Sequence, residues 1–462
     1  MHPEKRPTSD LVVRGGAVVL PEGVRPACLD IIDGVIQRVL PYDTPLNQRQ
    51  IIDVRDAVVM PGLVDTHVHC NEPGRSEWEG FAYATRAAAA GGVTTVIDMP
   101  LNSIPATTTT TALRTKLEAA RNQCWVDVGF LGGVVPGNAG DLRPLLDEGV
   151  FGFKCFLCES GVPEFPEVGM EELRLALRVL HGLPSFLLVH AEMDDVLNSP
   201  VRDFLALPAL LRRQYLHYLA SRPAAAETEA IGMLIKLCRQ FAVPIHILHL
   251  SAAQALPDLA QAQREGLRIS VETCPHYLFF AAEDIADGAT ELKCAPPIRE
   301  AANRERLWEG LRAGVIGSVA SDHSPCPPTL KRKATGDFAS SWGGIASLQI
   351  SLPALWTSAR QRGFDVSDVA RWMCQSPAAM VGLDHRKGAL APGKDADLVC
   401  WRPDASFRVE ESSLRHRHKL TPYAGRELFG IVEWTMVRGQ IVFTEGQVHP
   451  QAQGKILMRG AR

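Results

Sequence analysis

The sequence predicts an α/β fold: a TIM-type (β/α)8 barrel with a small β-sandwich domain formed by both chain termini. Three features carry this reading. Residues 61–385 alternate short apolar strands with helix-period segments, the pattern of a parallel sheet or barrel. Both ends of the chain read as strand without helix. Two histidines close the first strand of the alternating region. The expected parts are 1–60 (N-terminal part of the sandwich), 61–385 (barrel) and 386–462 (C-terminal part).

In chain order, Leu11–Leu20 and Leu29–Val39 read as strands, and Asp33-Gly34 marks a hairpin turn inside the second. Residues 51–60 give another strand. The candidate barrel strands are 63–69, 93–99, 126–135, 152–157, 185–191, 245–250, 268–274 and 315–321. Helical segments are expected at 78–91, 107–122, 169–182, 225–242, 252–265 and 303–313. The run Thr107–Thr111 reads as a loop and N-cap stretch ahead of its helix. Strand patterns return at Leu390–Trp401 and Gly430–Phe443, so the end of the chain resembles its start.

Composition sets bounds on function. The chain has 462 residues, 46% hydrophobic and 22% charged, with a formal net charge of -4. That is the balance of a globular enzyme. The basic clusters Lys331–Lys333 and Arg415–Lys419 are too short to suggest nucleic acid binding. No apolar run approaches the roughly 18 residues that span a bilayer. Met1–Asp10 is polar and carries Glu4 and Asp10, unlike a signal or transit peptide, so a cytoplasmic location is expected. Eleven cysteines without regular spacing read as reduced thiols. Cys155 and Cys158 have no second CxxC pair, which argues against a zinc knuckle.

The chemistry gathers at strand ends. Side chains two apart on a strand share a face, so Asp65, His67 and His69 project together. They are either half of a metal site or a pair of hydrogen-bonded core histidines. Barrel enzymes carry their catalytic groups at the C-terminal ends of strands. Reading only those ends adds Lys154, His190, His249 and Asp322. Four histidines and an aspartate on one edge are hard to explain by packing. Lys154 is the odd member, because an ammonium group has no lone pair. It is either salt-bridged or chemically changed. Addition of carbon dioxide to the neutral amine would give a carboxylated lysine able to bridge two metals.

This pattern resembles the amidohydrolase superfamily: HxH on the first strand, a strand-four lysine, then His, His and Asp. Among its cyclic amidohydrolases the chain is similar to the allantoinase family over nearly its whole length. The segments that carry the likeness are His69–Arg75, Gly91–Thr107, Gly152–Phe156, Cys274–Tyr277, Lys293–Arg299, Ser321–Pro328, Trp342–Ile345 and Arg417–Lys419. The resemblance implies His67, His69 and Asp322 on one metal, His190 and His249 on a second, and carboxylated Lys154 between them. Two divalent ions are implied, zinc by default, with iron, cobalt or manganese suited too. A hydroxide between the metals would attack the hydantoin ring of (S)-allantoin and give allantoate, a step of purine catabolism. Asp322 would be the catalytic proton shuttle. Ser324 would hold substrate through its backbone. The family expectation is a homotetramer.

Related chemistries are set apart by single positions. Dihydroorotases place an arginine two residues after the HxH pair and an asparagine after Met-Pro, where this chain has Asn71 and Leu101. Dihydropyrimidinases and hydantoinases place a tyrosine shortly after the strand-four lysine, and residues 155–159 contain none. A non-catalytic scaffold would have lost ligands, whereas all six positions are filled here. Glu72, Arg75, His276 and His323 are expected to shape the pocket or brace its loops.

Overall fold

The computed structural model describes residues 11–45 and 50–460. The polar Met1–Asp10 stretch lies outside the described residues. The chain opens with strands β1 (Leu11–Leu20), β2 (Gly23–Ile32), β3 (Val35–Leu40), β4 (Ile51–Asp53) and β5 (Val58–Pro61). The parallel set follows: β6 (Leu63–Val68), β7 (Val93–Asp98), β8 (Asp127–Phe130), β9 (Gly132–Gly133), β10 (Phe153–Phe156), β11 (Leu187–His190), β12 (Ile245–Ile247), β13 (Ile269–Thr273) and β14 (Ser318–Val319). The chain closes with β15 (Leu398–Arg408), β16 (Glu427–Val437), β17 (Gln440–Thr444) and β18 (Gln447–Val448).

The turn between β2 and β3 is the expected hairpin. Asp33 and Gly34 both have positive φ, 51° and 75°, as a two-residue turn matched to strand twist requires. Strands from both termini join one nine-stranded sheet in the order β18-β17-β16-β15-β5-β1-β2-β3, with β4 beside β1. The join between the two ends is antiparallel, Met60 opposite Val399. Val13, Leu29, Ile36, Leu398 and Met436 share one core beneath it.

Between the termini the strands are parallel. They pair as β6-β7-β8 and as β9 through β14 in sequence order. β6, β7, β8, β10 and β11 are buried at every residue, as strands covered on both faces must be. Val68 bridges to His323, beyond the end of β14. The six expected helices all form, with ends shifted by a few residues: 78–91 shortens to Phe81–Ala90, whereas 303–313 begins earlier, as Ala301–Arg312. Thr109 caps its helix by accepting from the Ala112 N–H at 3.2 Å. Helices at Asp194–Leu205, Tyr215–Ser221 and Ser351–Arg360 were not expected from the sequence. The first carries Pro200 in its interior, a residue that reads as a break.

A buried ion cluster ties the two parts together. Lys387 Nζ lies 2.6 Å from Asp127 at the start of β8, 3.0 Å from Asp395 and 2.5 Å from Asp397. Arg438 pairs with Asp127 from the other side. Past β18 the chain leaves the terminal sheet. Ile456 bridges to Val128, and the Leu457 N–H donates to the Val128 carbonyl at 2.8 Å. All eleven cysteines are free and buried. No helix among the described residues is long and apolar enough to cross a membrane.

Candidate metal centre

His67, His69, Lys154, His190, His249 and Asp322 converge where the parallel strands end. The His67 ring lies 5.6 Å from that of His69 and 5.3 Å from that of His249. His190 and His249 are 4.6 Å apart. Lys154 Nζ sits 3.4 Å from His67 Nε2. Asp322 Oδ1 lies 3.2 Å from His67 Nε2 and 3.5 Å from His69 Nε2. Donor atoms of His67, His69 and Asp322 fall within 4.8 Å of one another. His249 (φ 37°) and Asp322 (φ 42°) both sit in the left-handed region, which side-chain-bearing residues seldom occupy. Backbone strain of this kind concentrates at functional sites.

The frame behind the ligands is specific. Asp65 Oδ1 accepts from the His67 N–H at 3.1 Å and from the Ser321 N–H at 3.2 Å, clamping β6 to the segment after β14. The His69 N–H donates to the His323 carbonyl at 2.9 Å. His67 Nδ1 meets Glu272 Oε1 at 2.6 Å, so its proton faces the carboxylate and Nε2 keeps its lone pair. His190 Nε2 meets Glu192 Oε2 at 2.7 Å, which leaves Nδ1 as the free atom. Arg222 grips the same carboxylate at 2.6 Å. His249 Nδ1 is buried with no hydrogen-bond partner.

The electrostatics match this frame. Burial pushes His69 down to about 3 and also lowers His190 and His249, so the imidazoles are neutral and able to ligate. Burial brings the Lys154 ammonium down to about 8. Its amine is thus closer to neutral than an exposed lysine's. The donor set, its fixed tautomers and the orphaned histidine nitrogen fit a metal centre.

Two other acidic groupings do not. Cys158 lies beside His190 and Glu192, but burial raises its thiol to about 12 and Arg222 already neutralises Glu192. Asp127, Asp395 and Asp397 are filled by Lys387.

The centre opens into a cavity of about 290 Å³ walled by Leu101, Asn102, Phe156, Lys293, Ser324 and Trp342, among others. Ser324 Oγ donates to Asp322 Oδ1 at 2.8 Å, and its own N–H is taken by the Ile345 carbonyl. Its backbone is left with the carbonyl alone to offer a ligand. A Cβ on Gly344 would come within 2.4 Å of that carbonyl, so glycine is required there. Glu72 accepts from the Phe81 N–H at 2.8 Å and braces a helix start. Arg75 donates to the Asn102 carbonyl at 3.0 Å. His323 Nδ1 accepts from the Ser347 and Leu348 N–H groups. His276 is fully buried, and neither ring nitrogen has a partner. Glu272, Glu192, Arg222 and Asn102 were missed as site residues. Only the spacing His190-x-Glu192 gave a signal for any of them.

The Amidohydrolase family matches residues 58–199 and 217–442. The chain belongs to this family. It is 49% identical to a Streptomyces avermitilis protein named allantoinase, over 97% of this chain and 99% of that one. It is 44% identical to the allantoinase of Saccharomyces cerevisiae, over 95% of each. Among solved structures it is similar to an L-hydantoinase (dihydropyrimidinase) from Arthrobacter aurescens. That match has TM-score 0.92 and 31% identity, covering 98% of this chain and 100% of that one.

Proposed function

We propose that this chain is a metal-dependent hydrolase that opens the hydantoin ring of (S)-allantoin to give allantoate. What carries this reading is the convergence of His67, His69 and Asp322 donors within 4.8 Å, in a chain that aligns with allantoinases nearly end to end.

In this reading His67, His69 and Asp322 would hold one divalent ion and His190 and His249 a second, with Lys154, once carboxylated, as a further ligand. Zinc suits the His-rich donor set best, and iron, cobalt or manganese are also accommodated. When bound, the ions polarise the scissile carbonyl and lower the pKa of water at the site. The neutral Lys154 amine adds to carbon dioxide, forming an N–C bond and releasing one proton. Asp322 accepts a proton from the attacking water and returns it to the departing ring nitrogen, which leaves as the C–N bond breaks. Ser324 Oγ, donating to Asp322 Oδ1, directs the other carboxylate oxygen to that transfer. The Ser324 carbonyl accepts from a ring N–H of the substrate. Phe156, stacked on His190 at 4.6 Å, walls the centre from bulk water.

A hydantoinase-type or dihydropyrimidinase-type activity is the second reading, favoured by the TM-score of 0.92 to the Arthrobacter enzyme. A dihydroorotase-type activity fits less well, because Leu101 offers no partner to a substrate carboxylate. We also propose that the parallel strands close as a (β/α)8 barrel over 61–385, which the Val68–His323 bridge supports. The strands of 1–60 and 386–462 would then form the flanking β-sandwich. The assembly proposed is a cytoplasmic homotetramer.

The test is a substrate panel of allantoin, dihydroorotate, hydantoin and dihydrouracil on one preparation. Preferential hydrolysis of allantoin is expected. Preference for hydantoin or dihydrouracil would keep the chemistry and discard the substrate.

A further inference from the structure

Asn102 is a pocket residue whose hydrogen bonding is mismatched. It follows β7 at φ 64°, a left-handed conformation that Asn and Asp take more readily than other side-chain-bearing residues. Arg75 fixes its carbonyl, and the residue is 3% exposed. Its amide Nδ2 lies 3.3 Å from His69 Nδ1, while Oδ1 is buried with no hydrogen-bond partner.

His69 turns Nε2, not Nδ1, toward Asp322. To ligate through Nε2 its proton must sit on Nδ1. A proton there needs an acceptor, yet the amide nitrogen is a donor. Turning the amide by half a rotation exchanges oxygen and nitrogen, which the hydrogen-bond network alone distinguishes. Oδ1 then accepts from His69 Nδ1–H. The NH2 group takes the place of the orphaned oxygen in the pocket wall.

We propose that Asn102 is a positioning and substrate-binding residue: its amide oxygen fixes the His69 tautomer that leaves Nε2 free for metal, and its NH2 donates to a carbonyl of a cyclic ureide. The substrate half rests on the activity proposed above, and the metal half only on the metal centre proposed there. Both the hydantoin ring and the ureido tail of allantoin offer carbonyl acceptors.

Two full-chain variants test it. Asn102→Gly removes the amide while accepting the positive φ without strain. Asn102→Asp keeps an acceptor for His69 and removes the NH2. Zinc affinity is read by chelator competition on metal-depleted protein, with no substrate present. Asn102→Gly is expected to bind zinc about 10- to 100-fold more weakly, and Asn102→Asp as the parent does. On whichever cyclic ureide the parent hydrolyses best, Asn102→Asp is expected to raise KM about tenfold, with kcat changed less. Parent-like zinc affinity in Asn102→Gly would overturn the positioning role, and parent-like KM in Asn102→Asp the substrate contact. If the parent leaves allantoin untouched, the functional reading fails alone, because the zinc titration still reports on Asn102.

Discussion

His67 Nδ1 stands 2.6 Å from Glu272 Oε1, and both side chains are wholly buried. The other Glu272 oxygen is 3.1 Å from His246 Nε2, and the two imidazoles hold this carboxyl well down against the burial that would raise it. Glu272 reaches no substrate, yet it decides which nitrogen of His67 faces the centre. Glu272→Gln is therefore expected to weaken zinc binding about 10- to 100-fold. Metal titration of the depleted protein checks this. Unchanged affinity would remove Glu272 from the ligand frame.

Lys154→Ala is expected to abolish turnover and to lower bound metal, because the proposed carboxylated ligand would be lost. Short carboxylic acids should restore part of the activity. Metal content and rate are followed together. Full activity without added acid would end the carboxylysine reading.

Asp322→Asn is expected to cut kcat by at least about 100-fold with the fold retained. Steady-state rates and far-ultraviolet circular dichroism read the two effects separately. A near-parental rate would take the proton transfer away from Asp322.

Lys293 gives a pH signature independent of turnover. Burial, with Lys331 and Arg222 nearby, brings its ammonium down from 10.5 to about 7. The unfolded chain then holds more protons than the folded one between those values. Its stability contribution is present above 10.5 and lost as pH falls through 7. Parent stability relative to Lys293→Met should fall on acidification across this window, by up to about 1.4 kcal/mol per pH unit. Urea unfolding at several pH values measures it, and a flat difference would contradict it.

Lys387 joins β8 to the terminal sheet through three buried aspartates. Lys387→Met leaves Asp397 without its cation, while Arg438 still faces Asp127 and Arg386 faces Asp395, and should cost about 3–5 kcal/mol. Denaturant unfolding of both forms gives the value. A loss under about 1 kcal/mol would show that Arg438 and Arg386 suffice.

The proposed ligand positions are legible because they sit at strand ends, where a two-residue period and a count of strands pick out His67, His69, Lys154, His190, His249 and Asp322. The hairpin at Asp33-Gly34 was legible from turn chemistry alone. What holds the ligands was not. Glu272 meets His67 across 205 residues of sequence, and Arg222 meets Glu192 across 30. No local period encodes such pairs. Asn102 was passed over because its neighbour Leu101 occupied the position compared. The return of Ile456 to β8 was likewise invisible, since a single bridge leaves no strand pattern.

The most direct measurement is metal content per chain and allantoin turnover on the same preparation, before and after chelation. Two divalent ions per chain are expected, with turnover lost on their removal and restored by zinc and bicarbonate. Undiminished allantoin hydrolysis by the metal-free protein would contradict the account.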